Sequence, residues 1–226
     1  MSLEQEMKLA VNGESKLSLA KLDWLQAITS EQKQLHLRTE YFDTPQLKLK
    51  QQGIALRMRQ IDDRWLQTVK TSGKVKDGLH QREEWEHPIL NGEFDLPLLR
   101  QTPLAPIVDD SGSWKQLQRL FYTEFQRDVY MLEAQQDTLI ELAYDFGEAG
   151  SGDNKAVIHE IELELRHGSL EVLQQIAERL KTELQLSYNN RSKAEIGYQL
   201  YQAKPGELAS FNGLTYPGHF QISTCE

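Results

Sequence analysis

The stretch IALRMRQ, residues 54–60, decides the fold. Apolar side chains occupy positions 54, 56 and 58, whereas Arg57 and Arg59 occupy alternate positions. This period of two predicts a β-strand, because successive side chains of a strand point to opposite faces. One face is then buried, and the other presents two guanidinium groups that can each bind a carboxylate or phosphate with two hydrogen bonds. A solvated sheet face would show the same alternation, so the other strands decide between the two interpretations.

The same alternation recurs along the chain and predicts eight strands. They cover residues 3–11, 35–43, 54–61, 64–71, 79–89, 121–132, 139–147 and 156–165. Helical spacing and capping residues predict helices between them, over 15–28, 45–52, 96–100, 114–120, 169–184 and a last stretch ending near 201. Ser15 and Ser169 are the candidate N-caps of the two longest helices, and residues 72–78 read as a polar loop.

Most of the predicted strands are charged on one face and apolar on the other. The interspersed helices can cover the apolar faces, so these faces point outward and the charged faces point at one another. Eight antiparallel strands can close into a barrel that holds a small ligand. Many charges can share such an interior only if they are paired, hydrated or bound to a charged ligand. The sequence therefore predicts an α+β fold, an eight-stranded antiparallel β-barrel with a polar lumen and helices packed on the outside.

Composition and charge limit the classes of protein to consider. The chain has 226 residues, 39% hydrophobic and 26% charged, as is usual for globular proteins. No apolar run of about 18 residues or more occurs, and the acidic N-terminus lacks the basic region of a signal peptide, so we expect a cytoplasmic protein. The one cysteine, Cys225, excludes an internal disulfide and a cysteine-based metal site. The net charge of −9 argues against a general nucleic-acid or membrane-surface binder.

The charged strand faces carry two kinds of side chain. The carboxylates are Glu4, Glu6, Glu84, Glu86, Glu141, Asp145, Glu160, Glu162 and Glu164. The cations are Lys8, Arg38, Arg57, Arg59, Lys70, Arg82, Arg127 and Lys193. Clustered carboxylates suit Mg²⁺ or Mn²⁺, which bind carboxylates, water and phosphate oxygens together, whereas arginine and lysine suit the phosphates themselves. A polyphosphate bound with its metal satisfies both requirements.

Seven motifs resemble, in the same order, those of the CYTH proteins, also called triphosphate tunnel metalloenzymes. They are ExExK at residues 4–8, YFDTP at 41–45, GIALRMR at 53–59, QTVK at 67–70, REEWE at 82–86, EIELE at 160–164 and SK at 192–193. The resemblance implies a tunnel domain over residues 1–202 and a C-terminal tail over 203–226. The resemblance is greatest to the bacterial inorganic triphosphatases. Some of those carry a following CHAD helical domain, for which this sequence is too short.

The resemblance also implies roles for residues. The substrate-binding residues would be Lys8, Arg57, Arg59, Lys70, Arg82, Arg127 and Lys193. The ligands of Mg²⁺ or Mn²⁺ would be Glu4, Glu6, Asp145, Glu160, Glu162 and Glu164. Which of the last three binds the metal directly stays open, because they share one strand face. Glu4, Glu6 and Lys8 would be catalytic, with Glu4 or Glu6 accepting the proton of the attacking water, and Glu84 and Glu86 are candidates to brace the arginines.

The leading hypothesis is a metal-dependent inorganic triphosphatase that acts on a small-molecule triphosphate. The nearest alternative is a class IV adenylate cyclase, which needs a base-recognition pocket at the tunnel mouth, and the sequence offers no residues for one. A polyphosphate- or nucleotide-binding module without turnover is the alternative from a different class. We expect no nucleic-acid or membrane partner, and either a monomer or a homodimer.

Overall fold

Ten β-strands form one closed sheet in the computed structural model, which describes residues 2–13 and 15–203. They are β1 Ser2–Ala10, β2 Thr29–Asp43, β3 Ile54–Ile61, β4 Arg64–Thr71, β5 Lys74–Lys76, β6 Leu79–Ile89, β7 Gln118–Ala134, β8 Thr138–Ser151, β9 Asn154–His167 and β10 Ser187–Tyr188. Eight of them make an antiparallel barrel in the order β1-β9-β8-β7-β2-β3-β4-β6, which the β1–β6 pairing closes. The predicted eight-stranded barrel is confirmed, and β5 and β10 are short additions to β6 and β1.

The strands follow the alternation that predicted them. The bounds of β3, β4 and β6 coincide with the prediction, and a two-residue turn joins β3 to β4 because Ile61 pairs with Arg64. Asp62 takes a positive φ of 52°, as the tight turns of β-hairpins favour. The other barrel strands differ from prediction mainly in length, and β2 starts at residue 29 because it pairs with β7 along its whole length. The polar loop predicted over 72–78 is wrong in its middle, where β5 pairs with β6.

Seven α-helices lie in the described part of the chain. They are α1 Asp23–Ala27, α2 Lys48–Gln51, α3 Leu96–Leu99, α4 Ala105–Asp109, α5 Ser111–Lys115, α6 Leu170–Glu183 and α7 Lys193–Gln202. The single helix predicted over 15–28 is wrong, because an extended Leu22 separates a short 3-10 helix, Leu19–Lys21, from α1. The helix predicted over 114–120 is also wrong. Helix α5 ends at Lys115, and β7 begins at Gln118, where it pairs with β2.

The helices cover the outside of the barrel on two sides. Ser169 caps α6 as predicted by accepting a hydrogen bond from the Val172 backbone N–H. Helix α6 buries Leu173, Leu180 and neighbouring apolar residues against the outer faces of β1, β8 and β9, each large side chain contributing about 1.5–3 kcal/mol. Helices α2 to α5 cover the outer faces of β3, β4 and β6 in the same way. The two largest apolar clusters therefore lie outside the barrel wall, and the charged faces lie inside.

Helix α7 packs against inward-facing side chains at one end of the barrel. Its Leu200 joins a buried apolar cluster with Phe125 on β7 and Ile158 on β9. Ser192 caps the helix in a capping box with Glu195, so the first turn is fixed. The helix thereby places Lys193, its first residue, in the lumen wall. No helix among the described residues has the length and apolar character that a membrane crossing requires.

Candidate functional site

The barrel encloses a cavity of about 550 Å³ lined mainly by charged side chains. Eleven of the predicted site residues line it, from six barrel strands and α7: Glu4, Glu6, Lys8, Arg57, Arg59, Lys70, Arg82, Arg127, Glu162, Glu164 and Lys193. Asp145 and Glu160 are more deeply buried and contact the lining lysine Lys193. All the predicted site residues therefore lie inside the barrel, in several separate groups of contacts.

Asp145, Glu160 and Glu162 form the first group, called here the acid trio. The β8–β9 register pairs Asp145 with Glu160, and Glu162 is the next inward residue of β9. One oxygen of each lies within 4.8 Å of the others. Hard carboxylate oxygens at this spacing are the ligands that Mg²⁺ and Mn²⁺ prefer, so the donor set fits such an ion.

Three cations neutralise the acid trio. Lys8 Nζ lies 3.1 Å from Glu160 and 2.8 Å from Glu162. Arg127 donates two hydrogen bonds of 2.7 Å to Asp145 and one of 2.6 Å to Glu162. Lys193 Nζ contacts all three carboxylates, at 2.7 Å for Asp145 and 2.8 Å for Glu162.

These contacts hold the whole group in its charged form. Burial would raise the pKa of Glu162, but Lys193, Lys8 and Arg127 outweigh it and hold that pKa well below its usual value. Burial would likewise lower the pKa of Lys8, and the neighbouring glutamates raise it instead. Glu162 and Lys8 are therefore held in their charged forms, and the group contains three carboxylates and three cationic side chains.

Glu4 and Glu6 form a second group with cations from neighbouring strands. Lys70 Nζ lies 2.6 Å from Glu4, and Arg82 donates to both Glu4 at 2.7 Å and Glu6 at 2.6 Å. The β1–β6 register brings Arg82 opposite Glu4. Burial would raise the pKa of Glu4, yet Lys70 and Arg82 hold it below its usual value. These two predicted metal ligands are thus bound by cations and stand apart from the acid trio.

Glu164 stands in a third environment. Arg166 bridges it to Glu141, with a distance of 2.6 Å to each carboxylate. Burial raises the pKa of Glu164 to about 7; Arg166 opposes that rise, and the nearby Glu4 and Glu141 add to it. The six predicted metal ligands are therefore divided among three sets of contacts.

Arg59 is the buried cation for which the described part of the chain supplies no carboxylate partner. Its side chain donates from Nε to Thr39 Oγ1 at 2.9 Å, and no carboxylate of the described residues lies within 4 Å of it. Burial lowers the pKa of Arg59 to about 10, and the like charges of Arg57 and Arg127 add to this. Arg57 in turn is braced by Glu84 at 3.3 Å, but its buried Nε finds no acceptor among the described residues. This pair of guanidinium groups is thus arranged to receive an anion.

Two residues of the site were not predicted from the sequence. Tyr41 lines the cavity beside Arg57, and its pKa is lowered because Arg57, Arg59 and Lys193 together outweigh its burial. Asn189 precedes α7, and its side-chain amide donates to Glu160 at 2.7 Å. Tyr41 shares the alternation of its strand and could have been found that way, whereas Asn189 lies in a loop without a periodic pattern.

Arg38 is the lumen cation that was predicted wrongly. It lies on the outer face of β2, where its side chain is 46% exposed and lies 3.1 Å from Glu124. The alternation of β2 places Thr39 and Tyr41 inside, and therefore Arg38 outside. The other predicted cations all line the cavity.

Comparison with known proteins identifies a matching domain family and several similar proteins. The model of the CYTH domain family matches residues 2–198. An inorganic triphosphatase from Haemophilus influenzae is 36% identical over 202 residues, which are 88% of this chain and 55% of that protein. The chain thus spans about half the length of this curated relative.

Solved structures share the fold. A protein from Hippeastrum, described as a candidate adenylyl cyclase with a dominant triphosphatase activity, superposes with a TM-score of 0.60 at 21% identity over 87% of this chain and 95% of that one. A candidate adenylate cyclase from Bacillus halodurans gives a TM-score of 0.52 at 19% identity over 85% and 96%. At these identities the likeness extends to the fold.

Proposed function

Because the chain belongs to the CYTH domain family, we propose that it hydrolyses inorganic tripolyphosphate, or another small-molecule triphosphate, to phosphate and diphosphate inside the barrel. The observation that carries the proposal is Arg59, a buried guanidinium group without a carboxylate, next to the unsatisfied Nε of Arg57. Buried unpaired cations are costly unless a ligand compensates them. The name of the Haemophilus influenzae relative supports the same activity.

The distribution of charge favours a chain of phosphates over a single carboxylate. Arg57 and Arg59 present fork-shaped donors that match phosphate oxygens. Lys70, Arg82 and Lys193 line the same cavity, so the phosphates of one linear ligand would find cations on several walls. Lys8 and Arg127 complete the proposed substrate-binding set.

The acid trio is the part of the site that we propose holds Mg²⁺ or Mn²⁺. Asp145, Glu160 and Glu162 are already within reach of one another, and Glu4, Glu6 and Glu164 are the further ligands that the sequence predicts. When bound, such an ion neutralises phosphate charge and favours attack by water. The donor set supports this proposal, because all three ligands offer hard oxygens in a polar lumen.

The chain's own residues would supply positioning and charge. Phosphoryl transfer needs little covalent help from a protein, so fixed cations around the transferred group account for most of the rate. Arg57 and Arg59 hold the phosphates, and Lys8 adds positive charge next to the acid trio. Glu4 or Glu6 accepts the proton of the attacking water, which makes Glu4, Glu6 and Lys8 the proposed catalytic residues.

The remaining expectations are part of the same proposal. We expect a cytoplasmic monomer or homodimer without a nucleic-acid or membrane partner. The tunnel domain is expected to cover residues 1–202. The predicted tail, 203–226, lies outside the described residues except for Ala203.

A substrate panel tests the proposal. Purified protein is incubated with tripolyphosphate, ATP or thiamine triphosphate in Mg²⁺, Mn²⁺ or EDTA, and released phosphate and cyclic AMP are measured. We expect phosphate release, fastest from tripolyphosphate, in either metal and none in EDTA. Cyclic AMP from ATP would instead establish the cyclase alternative, and tight binding without phosphate release would establish the binding module. Glu4→Gln should lower kcat more than it raises KM.

A further inference from the structure

The ammonium group of Lys193 lies among the three carboxylates that are proposed to hold the metal. Lys193 Nζ is 2.7 Å from Asp145 and 2.8 Å from Glu162, and it also contacts Glu160. Lys8, by comparison, contacts two of the three. A divalent cation and the Lys193 ammonium would therefore compete for the same oxygens.

The charges of this group balance without any added ion. Asp145, Glu160 and Glu162 contribute three negative charges, and Lys8, Arg127 and Lys193 contribute three positive ones. Adding a divalent cation leaves two uncompensated positive charges in a buried place, which is unfavourable. Moving the Lys193 ammonium onto an anion removes one of the competing charges and one contact from each of the three carboxylates.

The position of Lys193 allows this movement. The residue is at the first turn of α7, its side chain lines the cavity, and its flexible four-carbon stem can redirect the ammonium. Phe125 lies beside it, with its ring centroid 5.0 Å from Nζ, and offers an apolar surface along which the stem can slide. Anionic phosphates in the cavity would compete with the carboxylates for the same ammonium.

We propose that Lys193 is an internal counter-ion that occupies the acid trio until a triphosphate draws its ammonium away, so that the anion and the divalent cation bind cooperatively. The inference rests on the proposed function for the identity of the anion. It concerns the order of binding and the affinity for metal, and it does not require turnover. By linkage, the metal then strengthens anion binding by the same factor.

Binding of Mn²⁺ in the absence of any phosphate compound tests the proposal directly. The EPR signal of free Mn²⁺ is titrated with wild-type protein and with Lys193→Met, which keeps an unbranched side chain one heavy atom shorter and removes its charge. We expect Lys193→Met to bind Mn²⁺ about 10-fold more tightly or better, within the usual range of coupling between sites. Lys193→Arg keeps the charge and should bind like wild type. Lys155→Met is the matched control, because Lys155 pairs with Glu148 on the exterior and the variant changes net charge equally.

The outcomes separate this inference from the proposed function. Unchanged or weaker Mn²⁺ binding by a folded Lys193→Met variant contradicts the role of Lys193, whatever the activity. If that variant does not fold, the wild-type protein provides the test. Inorganic phosphate, a weak chelator, should strengthen its binding of Mn²⁺. Unchanged Mn²⁺ binding in the presence of phosphate would overturn the proposal. A protein that shows the Lys193 effect but releases no phosphate from tripolyphosphate would retain the inference and lose the hydrolytic function.

Discussion

A buried guanidinium group costs free energy unless an anion compensates it, and Arg59 is in that position. Its side chain is about as buried as those of Lys8 and Lys193, yet these lysines have carboxylates and Arg59 has the Thr39 hydroxyl. Arg57 and Arg127 add like charge nearby. This uncompensated charge lowers the stability of the protein without a ligand. It also allows Arg59 to bind an anion strongly.

Replacing Arg59 tests this function of the residue. Arg59→Ala should raise KM for tripolyphosphate and lower kcat, with kcat/KM falling about 100-fold or more, as for the loss of one fixed donor to a reacting group. The same variant should unfold in urea at an equal or higher concentration than wild type, because it removes an uncompensated charge. Arg119→Ala, on the exterior beside Glu40, is the control for loss of an arginine. A destabilised Arg59→Ala variant with normal kcat/KM would show that Arg59 is structural.

Asn189 acts on the site through Glu160. Its side-chain Nδ2 donates to Glu160 at 2.7 Å, its Oδ1 accepts from the Arg191 backbone N–H, and its backbone N–H donates to the Lys8 carbonyl. One loop residue therefore connects the acid trio, β1 and the approach to α7. All four of its polar groups are used, since its carbonyl also accepts from His80 in the neutral tautomer that carries the proton on Nε2.

We expect Asn189→Asp to impair the site while leaving the chain folded. The new carboxylate still accepts from Arg191 but faces Glu160 with like charge, so kcat/KM should fall about 10-fold or more, and Asn189→Ser should be milder. Asn190→Asp is the matched control, because the Asn190 side-chain oxygen accepts a hydrogen bond from the Gly78 backbone N–H and an aspartate can do the same. Steady-state kinetics and Mn²⁺ titration check this. Equal effects of Asn189→Asp and Asn190→Asp on Mn²⁺ affinity would argue against a positioning role for Asn189.

At the scale of elements, α7 determines how the lumen ends. Its Gly197 lets the helix approach the ring of Phe121, which stacks on Tyr41 at 4.6 Å between ring centroids. Its Tyr198 donates a hydrogen bond of 3.0 Å to the buried carboxylate of Asp43. These contacts fix the helix that carries Lys193, so packing at one end of the barrel positions a cation of the site.

Gly197→Ala tests the closeness of this packing. Glycine to alanine within a helix ordinarily stabilises it by about 1 kcal/mol. Here an added Cβ would lie 1.9 Å from a carbon of the Phe121 ring, so we expect destabilisation of about 1–3 kcal/mol instead. Urea unfolding measures the change. The double variant with Phe121→Ala should show less than the sum of the two losses, and strict additivity would mean that the contact is absent.

The strands were predictable from sequence and several helices were not, for a physical reason. A strand with one face in the lumen and one under helices must alternate, so 54–61 and 79–89 were predicted to the residue. The segment 15–28 has helical spacing, but its leucines reach the outer core from short, interrupted turns. The inward carboxylates and the inward cations of the strands were found by the same alternation, whereas Lys193 lies on α7 and Arg38 was placed inside wrongly. The pairing of these charges was not predicted, because closure of the barrel joins residues as distant in sequence as Lys8 and Glu160.

At the scale of the molecule, β1 closes the barrel by pairing with β6 on one side and β9 on the other. The strand that carries Glu4, Glu6 and Lys8 is therefore also the last connection of the wall. Closure buries the lumen charges, and ion pairs between buried charges are stronger than those on the surface. Stability and the state of the site consequently depend on the same ionised groups.

Two sets of groups should each lower stability as the pH is lowered, and Glu164, whose folded pKa is raised to about 7, opposes the first of these falls. His159 is buried between the Gly13 carbonyl and the Tyr144 hydroxyl, and burial lowers its pKa. Below the ordinary histidine pKa of about 6.5, this side chain binds a proton in the unfolded chain but not in the folded protein. The free energy of unfolding therefore falls by up to ~1.4 kcal/mol per pH unit. Glu4 and Asp145, with lowered pKa values, add a second fall below about pH 4.5.

Urea unfolding of metal-free protein between pH 8 and pH 4 checks this order. The first decline should be reduced in His159→Asn, which can still hydrogen-bond but does not titrate, and the second should remain. His36→Asn is the control, because His36 is exposed on the barrel exterior. An identical decline in wild type and His159→Asn between pH 7 and pH 5 would contradict the account.

The central claim is that the charged interior of the barrel is where a triphosphate and its metal bind. A crystal structure of the wild-type protein with Mn²⁺ and a triphosphate analogue with methylene bridges tests it most directly. We predict phosphate density inside the lumen against Arg57 and Arg59, and an anomalous Mn²⁺ peak at Asp145, Glu160 and Glu162, with the Lys193 ammonium moved to a phosphate oxygen. An analogue bound on the outer surface, or a lumen without anion and metal at saturating concentrations of both, would contradict it.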